Sequence, residues 1–212
     1  MPSHRDLDAI TIDALGTLVD LNDPTEPLGA ALRERGVERT TEEVRHAFAA
    51  EAAYYVPRSH EGQDASSLAR LRRECARVFL VDLGADLDPD EFARPFVDAL
   101  SFRLVEGARG ALDQLRAGGL ALACVTNWDC AFPDHLDQTG VADRFAVVVT
   151  SAEAGAQKPD PRIFAIALKR LDVPAARALH IGDSDSDREG AHAAGLAFEP
   201  VPLATLPARL GL

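Results

Sequence analysis

The sequence predicts an α/β protein, a doubly wound (Rossmann-like) parallel sheet with an inserted all-helical cap domain. Three observations lead there. Short apolar, β-branched runs recur at residues 7–13 (LDAITID), 120–125 (LALACV), 145–149 (FAVVV) and 178–181 (ALHI), each of a length that fits a strand buried on both faces. Helical patterns separate the later runs. Between about Pro24 and Ser101 no convincing strand occurs, and apolar residues fall at helical spacing instead.

Taken in order, the first run ends in Asp13 and is followed by a tight turn through Gly16. The insert then places Leu28, Ala31 and Leu32 on one face, followed by Val44, Ala47 and Phe48, by Leu68, Leu71 and Val78, and by Phe92, Phe96 and Leu100. Four helices fit this spacing, with breaks near Gly36, near Pro57 to Gly62 and at Gly84 to Pro89. After the insert, helices are predicted over Ala108 to Ala117, Phe132 to Gln138 and Pro161 to Leu171. A last strand covers Leu196 to Glu199, and Leu203 to Leu212 adds a short helix. The expected domains are therefore 1–20 with 102–212 as the α/β core and 21–101 as the helical part. Sheets of this type bind ligands outside the carboxyl ends of their strands, so an insert after the first strand is expected to act as a cap.

The 22 basic against 34 acidic residues leave a net charge of −12, which argues against nucleic acid or an anionic lipid surface as the main partner. The opening stretch MPSHRDLD carries no apolar signal segment and no later run reaches the length of a membrane span, so a cytoplasmic protein is expected. Cys75, Cys124 and Cys130 are odd in number and lack metal-ligand spacing, and so read as buried free thiols. Oligomeric state leaves no mark on the sequence.

The residues just after the strands are Asp13, then Thr126 and Asn127, then Lys158, then Asp183 and Asp187, and all converge on one sheet edge. A carboxylate can attack phosphorus, but its charge must be offset as it nears an anionic phosphate. Magnesium is held by one or two carboxylates, carbonyls and waters, and Asp13, Asp183 and Asp187 supply such ligands. Gly16 and Thr17 are expected to expose backbone amides toward a phosphate, Thr126 to donate its hydroxyl, and Lys158 to neutralise remaining charge. Each residue also has a plainer reading. Asp13 can cap a helix, Lys158 can be a solvated lysine, Thr126 can satisfy strand-end groups and Asn127 can stabilise a turn. One acid of the 183–187 loop must cap the helix expected from about Arg188, and Asp185 is the better candidate, leaving Asp187 for metal. Asp160 reads as the cap of the helix opening at Pro161. Trp128 and Asp129 read as loop packing and a helix cap, and His180, inside a buried strand, as a satisfied core histidine. In the insert, His46, Glu51, Tyr54, Tyr55, Arg58, His60, Glu61 and Asp64 cluster near one helix end and are the group in which to look for substrate contacts.

Four segments taken together resemble the motifs of the haloacid dehalogenase superfamily, in the branch whose helical cap lies between the first two. They are DALGTL at 13–18, CVTN at 124–127, QKPDPRIF at 157–164 and HIGDSDSDREGAHAAG at 180–195. The run at 145–164 is similar to the phosphatase-type members. The resemblance implies that Asp13 is a nucleophile forming an aspartyl-phosphate and that the Leu15 backbone carbonyl is a Mg²⁺ ligand. It further implies that Thr126 and Lys158 hold the phosphate, that Asp183 binds the metal, and that Asp187 does so directly or through water. The expected activity is a Mg²⁺-dependent phosphohydrolase acting on a small phosphorylated metabolite.

Leu15 departs from the pattern. Phosphatase members usually carry an acid there, which protonates the leaving alkoxide and then activates water, and leucine does neither. General acid–base help is worth about 10²–10⁴-fold, so its loss leaves the second half of the reaction open. Besides a phosphatase with another proton source, the alternatives are a metal-independent 2-haloacid dehalogenase and a catalytically weak binding or regulatory homologue. The phosphonoacetaldehyde hydrolases need a cap lysine, and residues 20–106 contain none.

Overall fold

Every strand pairing of the main sheet is parallel, as expected of strands that alternate with helices and are buried on both faces. The computed structural model describes residues 4–212, so Met1 to Ser3 of the opening stretch lie outside the described residues. The strands are β1 (Ala9–Ile12), β2 (Val19–Leu21), β3 (Phe102–Leu104), β4 (Ala121–Thr126), β5 (Val147–Thr150), β6 (Ala178–Gly182) and β7 (Ala197–Pro200). The helices are α1 (Thr25–Arg33), α2 (Thr41–Tyr55), α3 (Ala65–Asp82), α4 (Pro89–Asp98), α5 (Ala108–Ala117), α6 (Phe132–Gln138), α7 (Ser151–Ala154), α8 (Arg162–Leu171), α9 (Asp185–Ala193) and α10 (Leu206–Leu210).

The chain divides into two compact units, Met1–Asp20 with Arg103–Leu212, and Leu21–Phe102. In the first, five strands stand in the order β5-β4-β1-β6-β7. β1 leads to β4 on one side, whereas β6 leads to β7 on the other, so the strand order reverses between β1 and β6. α8 turns Ile163, Phe164, Ala167 and Leu168 inward, one apolar stripe at helical spacing, onto Ala9, Ala123, Val125 and Val149 of the strands. Burying each large side chain of this kind contributes roughly 1.5–3 kcal/mol.

The second unit is all helical between its ends. Leu28, Leu32, Val44, Ala47, Phe79, Leu80, Phe92 and Phe96 from α1 to α4 form its core, with Phe79 stacked on Phe92 at 6.0 Å between centroids. Thr40 and Asp64 each close a capping box at the start of α2 and α3, which explains why these helices begin sharply after polar loops.

The sequence reading contains neither the short helix α7 nor the strands β2 and β3. β2 and β3 pair as a two-stranded ribbon where the chain leaves and re-enters the α/β unit, and Asn22 N–H extends it by donating to the Ser101 carbonyl at 2.9 Å. Three-residue strands are too short to show a period of two, so neither announced itself. Among the described residues no helix is long and apolar enough to cross a membrane.

Candidate active site

Sheet register assembles the site. Ile12 stands opposite Cys124 of β4 and opposite Ile181 of β6, and Asp13 N–H continues the second ladder by donating to the Ile181 carbonyl at 3.0 Å. One step further, Asp13, Thr126 and Asp183 reach the same carboxyl edge, at the reversal between β1 and β6 where ligand crevices of such sheets lie. Asp13, Asp183 and Asp187 each present an oxygen, all within 4.8 Å of one another.

Lys158 is 4% exposed, which excludes the solvated reading. Its Nζ donates to Asp13 Oδ1 and, at 2.5 Å, to Asp187 Oδ1. Burial works against its charge, but Asp13 and Asp187 outweigh that and hold the ammonium above the usual lysine range. The backbone of the lysine is held as well. Lys158 N–H donates to Asn127 Oδ1 at 2.7 Å and Asn127 Nδ2 donates to the Lys158 carbonyl at 3.1 Å, so the side chain of Asn127 positions the lysine rather than standing open to a phosphate.

Asp13 is 6% exposed, and burial raises its carboxyl above the ordinary range against the opposing pull of Lys158. Burial likewise raises Asp183, with Asp187 adding to it. Asp187 goes the other way: burial would raise it, but bonds from His180 and Lys158 carry it well below the carboxylate range. Three carboxylates and one ammonium carry a net of two negative charges when all are ionised, and every metal donor in the set is oxygen. A hard divalent cation fits both facts. Two glycines make room: Gly16 has φ +83° and a Cβ on it would stand 2.3 Å from Asp183 Oδ2, while a Cβ on Gly182 would stand 2.4 Å from Asp187 Cγ.

The turn after β1 corrects one expectation. Gly16 N–H donates to the Val19 carbonyl at 2.9 Å and Thr17 N–H to the Ala14 carbonyl at 3.3 Å, so neither amide is an open phosphate donor. The turn closes on itself because Leu15 and Val19 form a parallel bridge. Among the described residues, the amides of Ala14 and Leu15 donate to no backbone carbonyl, and no backbone amide donates to the Leu15 carbonyl. These are the groups sequence reasoning missed, since no residue type marks a free amide. Leu15 is 46% exposed. Thr126, the last residue of β4, is buried and stands opposite Thr150.

The acid-rich loop differs in a second respect. Ser184, not Asp185, caps α9: its hydroxyl accepts from Asp187 N–H at 3.2 Å while Asp187 Oδ2 accepts from Ser184 N–H at 3.1 Å. The serine hydroxyl reaches the third-residue amide, and Asp185 pairs instead with Arg188 at 2.8 Å in solvent. Asp160 accepts from Arg162 N–H at 2.9 Å, while Pro161 occupies the cap position of α8. Trp128 packs on Phe132 at 5.0 Å, and Asp129 accepts from Ala131 N–H at 2.9 Å ahead of α6.

A family model for haloacid dehalogenase-like hydrolases matches residues 7–195 of the chain. A haloacid dehalogenase-like hydrolase domain-containing protein 3 from Mus musculus is 41% identical over 113 residues, covering 53% of this chain and 43% of that protein. A phosphoglycolate phosphatase from Nitrosospira multiformis is 39% identical over 101 residues, covering 47% of this chain and 44% of that protein. The matched segments thus span less than half the length of either relative. The crystal structure of a HAD phosphatase from Thermococcus onnurineus superimposes with a TM-score of 0.64 at 25% identity, covering 97% of this chain and 98% of that one.

Proposed function

The chain belongs to the haloacid dehalogenase-like hydrolases, and from that premise we propose that it is a magnesium-dependent phosphohydrolase acting on a small phosphorylated metabolite, with Asp13 as nucleophile and residues 21–101 as the part that selects substrate. The observation that carries this reading is Lys158, buried and shared between Asp13 and Asp187. An ammonium locked beside a nucleophilic carboxylate is suited to a substrate that brings its own negative charge. The phosphatase name of the Nitrosospira multiformis relative agrees with that substrate class.

Asp13, Asp183 and the Leu15 carbonyl are the groups assigned to hold Mg²⁺. Asp187 already accepts from Lys158, His180, Ser184 N–H and Ser184 Oγ, so its share in the metal is assigned through water. When bound, the cation supplies the positive charge that lets three carboxylates and a phosphate share one site. An Asp13 oxygen attacks phosphorus, the Asp–O–P bond forms as the bond to the leaving oxygen breaks, and water then attacks phosphorus and returns the carboxylate. Lys158 holds the phosphoryl oxygens through both steps, with Thr126 and the Ala14 and Leu15 amides as further donors.

Asp13→Asn is expected to lower phosphate release by roughly 10³-fold or more and to abolish a beryllium fluoride adduct that the unsubstituted protein forms. Appreciable release by the variant removes Asp13 as nucleophile. Leu15 favours a second reading, displacement of halide from a 2-haloacid without metal, because leucine offers no proton to a leaving alkoxide and halide needs none. EDTA separates the two: phosphate release stops on full metal removal, whereas halide release that survives it establishes the second reading.

A further inference from the structure

Leu15 leaves the second half of the proposed reaction without an acid–base group, and another acid, Asp20, follows five residues later. Gly16 N–H donates to the Val19 carbonyl at 2.9 Å, and Leu15 forms a parallel bridge with Val19. Bridged segments lie roughly 4.8 Å apart, so Asp20, the next residue along, comes back beside Leu15. Leu18 N–H and Val19 N–H both donate to the Ala14 carbonyl, at 2.8 and 2.9 Å, and fix that return. A Cβ on Gly16 would stand 2.3 Å from Asp183 Oδ2, which places the same turn against the carboxylates of the sheet edge.

Burial separates the loop into two sets. Thr17, Leu18 and Val19 are buried, whereas Leu15 is exposed and Asp20 half-buried. Val105 N–H donates to the Leu18 carbonyl and Asn22 N–H to the Ser101 carbonyl, both at 2.9 Å. Those two bonds set Asp20 opposite Arg103 in the β2–β3 ribbon, and Arg103 Nη2 donates to Asp20 Oδ2 at 3.2 Å. An exposed pair of this kind adds little to stability. It does orient the carboxylate, which still has lone pairs for a water proton. The other acids after the strands have tasks already: Asp13 carries the phosphoryl group, Asp183 and Asp187 are assigned to the cation, and Asp185 pairs with Arg188.

We propose that Asp20 is the general base of the second half-reaction, held by Arg103 and standing in for the acid that Leu15 lacks. This rests on the reading of Asp13 as a nucleophile toward phosphorus. Asp20 accepts a proton from the water whose oxygen attacks the aspartyl-phosphate. The bond between phosphorus and the Asp13 oxygen breaks, its electron pair returns to the Asp13 carboxylate, and inorganic phosphate leaves. Asp20 then passes the proton to solvent. The first step, in which Asp13 attacks phosphorus, asks nothing of Asp20 when the leaving group needs no proton.

Rapid mixing with p-nitrophenyl phosphate and excess Mg²⁺ separates the two steps, because nitrophenolate leaves in the first and needs no proton. Asp20→Asn keeps the size of the side chain and removes the base. It should release about one nitrophenolate per protein in a burst as fast as the parent's first turnover. Steady turnover should then be slower than the parent's by roughly 10²-fold. Acid quenching should leave phosphate on Asp13, seen as added mass on the peptide that contains it. Adding Leu15→Asp to Asp20→Asn should restore most of the steady rate. Unchanged turnover in Asp20→Asn overturns the proposal, and so does equal slowing of burst and steady state, which a merely structural role would give. A parent protein that releases no phosphate and forms no beryllium fluoride adduct removes the phosphohydrolase reading, and Asp20 with it. Circular dichroism checks the fold, and Asp20→Ser carries the same readouts if the Asn variant does not fold.

Discussion

In the proposed phosphohydrolase Leu15 is the residue on which the chemistry turns, because it keeps the backbone groups assigned to the first loop and lacks an acidic side chain. Its carbonyl and amide stay clear of backbone hydrogen bonds, and the residue is exposed. In the proposed phosphohydrolase reaction Lys158 offsets charge as Asp13 attacks, but the departing alkoxide and the incoming water would both need a proton partner. Leu15→Asp is therefore expected to raise kcat for a generic aryl or sugar phosphate by roughly 10–100-fold, below the full range for acid–base help because the new carboxylate adds charge to an already negative cluster. Steady-state kinetics with and without excess Mg²⁺ check it. No gain with the fold intact means proton transfer does not limit turnover. At this scale Asp13, Lys158, Asp183 and Asp187 were legible from their positions after strands. The Asn127 bond to Lys158 was not, because it joins residues 31 apart that meet only when adjacent loops fold together.

Among the elements, α2 carries a buried acid of its own. Glu51 is 5% exposed, and burial, only partly offset by a hydrogen bond with Cys75, pushes its carboxyl up to about 7. An acid whose folded value is raised binds its proton more tightly folded than unfolded. Its stabilising share is full below the unfolded value and is lost as pH rises through about 7. Thermal unfolding of the unsubstituted protein and of Glu51→Gln between pH 5 and pH 8 checks this. The variant should be spared a loss of up to about 3 kcal/mol that the parent suffers across that window. Equal pH slopes would place the Glu51 carboxyl near its ordinary value. The start of α9 teaches a related lesson, since three acids and two serines compete for one cap. Composition names the competitors, and only the backbone path decides that Ser184 wins and Asp187 turns inward.

Across the whole molecule, the acids of the site are brought together from Asp13 and from Asp183 to Asp187, segments some 170 residues apart in sequence. They repel one another unless a cation joins them. Mg²⁺ is expected to raise the unfolding temperature of the α/β unit by on the order of 5–10 °C at a hundredfold excess over its Kd. Asp183→Asn should show two opposite changes, a higher unfolding temperature without metal, because one repelling charge is gone, and little or no response to Mg²⁺. Differential scanning fluorimetry with a magnesium titration reads both. A variant that keeps the full magnesium shift removes Asp183 from the metal site.

By itself the sequence determined the fold class, the helical nature of the insert and the identity of the charged residues at the strand ends. These follow from local periodicity and from where a strand must stop, and both are written within a few residues of each other. Tertiary structure decided what those residues do to one another. It closed the Gly16 and Thr17 amides, gave Asn127 to the lysine backbone, left Ser184 as the cap and set His180 against Asp187. Each of these depends on the register of neighbouring strands or on the path of one loop past another. Hydrogen-bond partners are chosen by distances of a few ångströms in space, and no spacing along the chain encodes them.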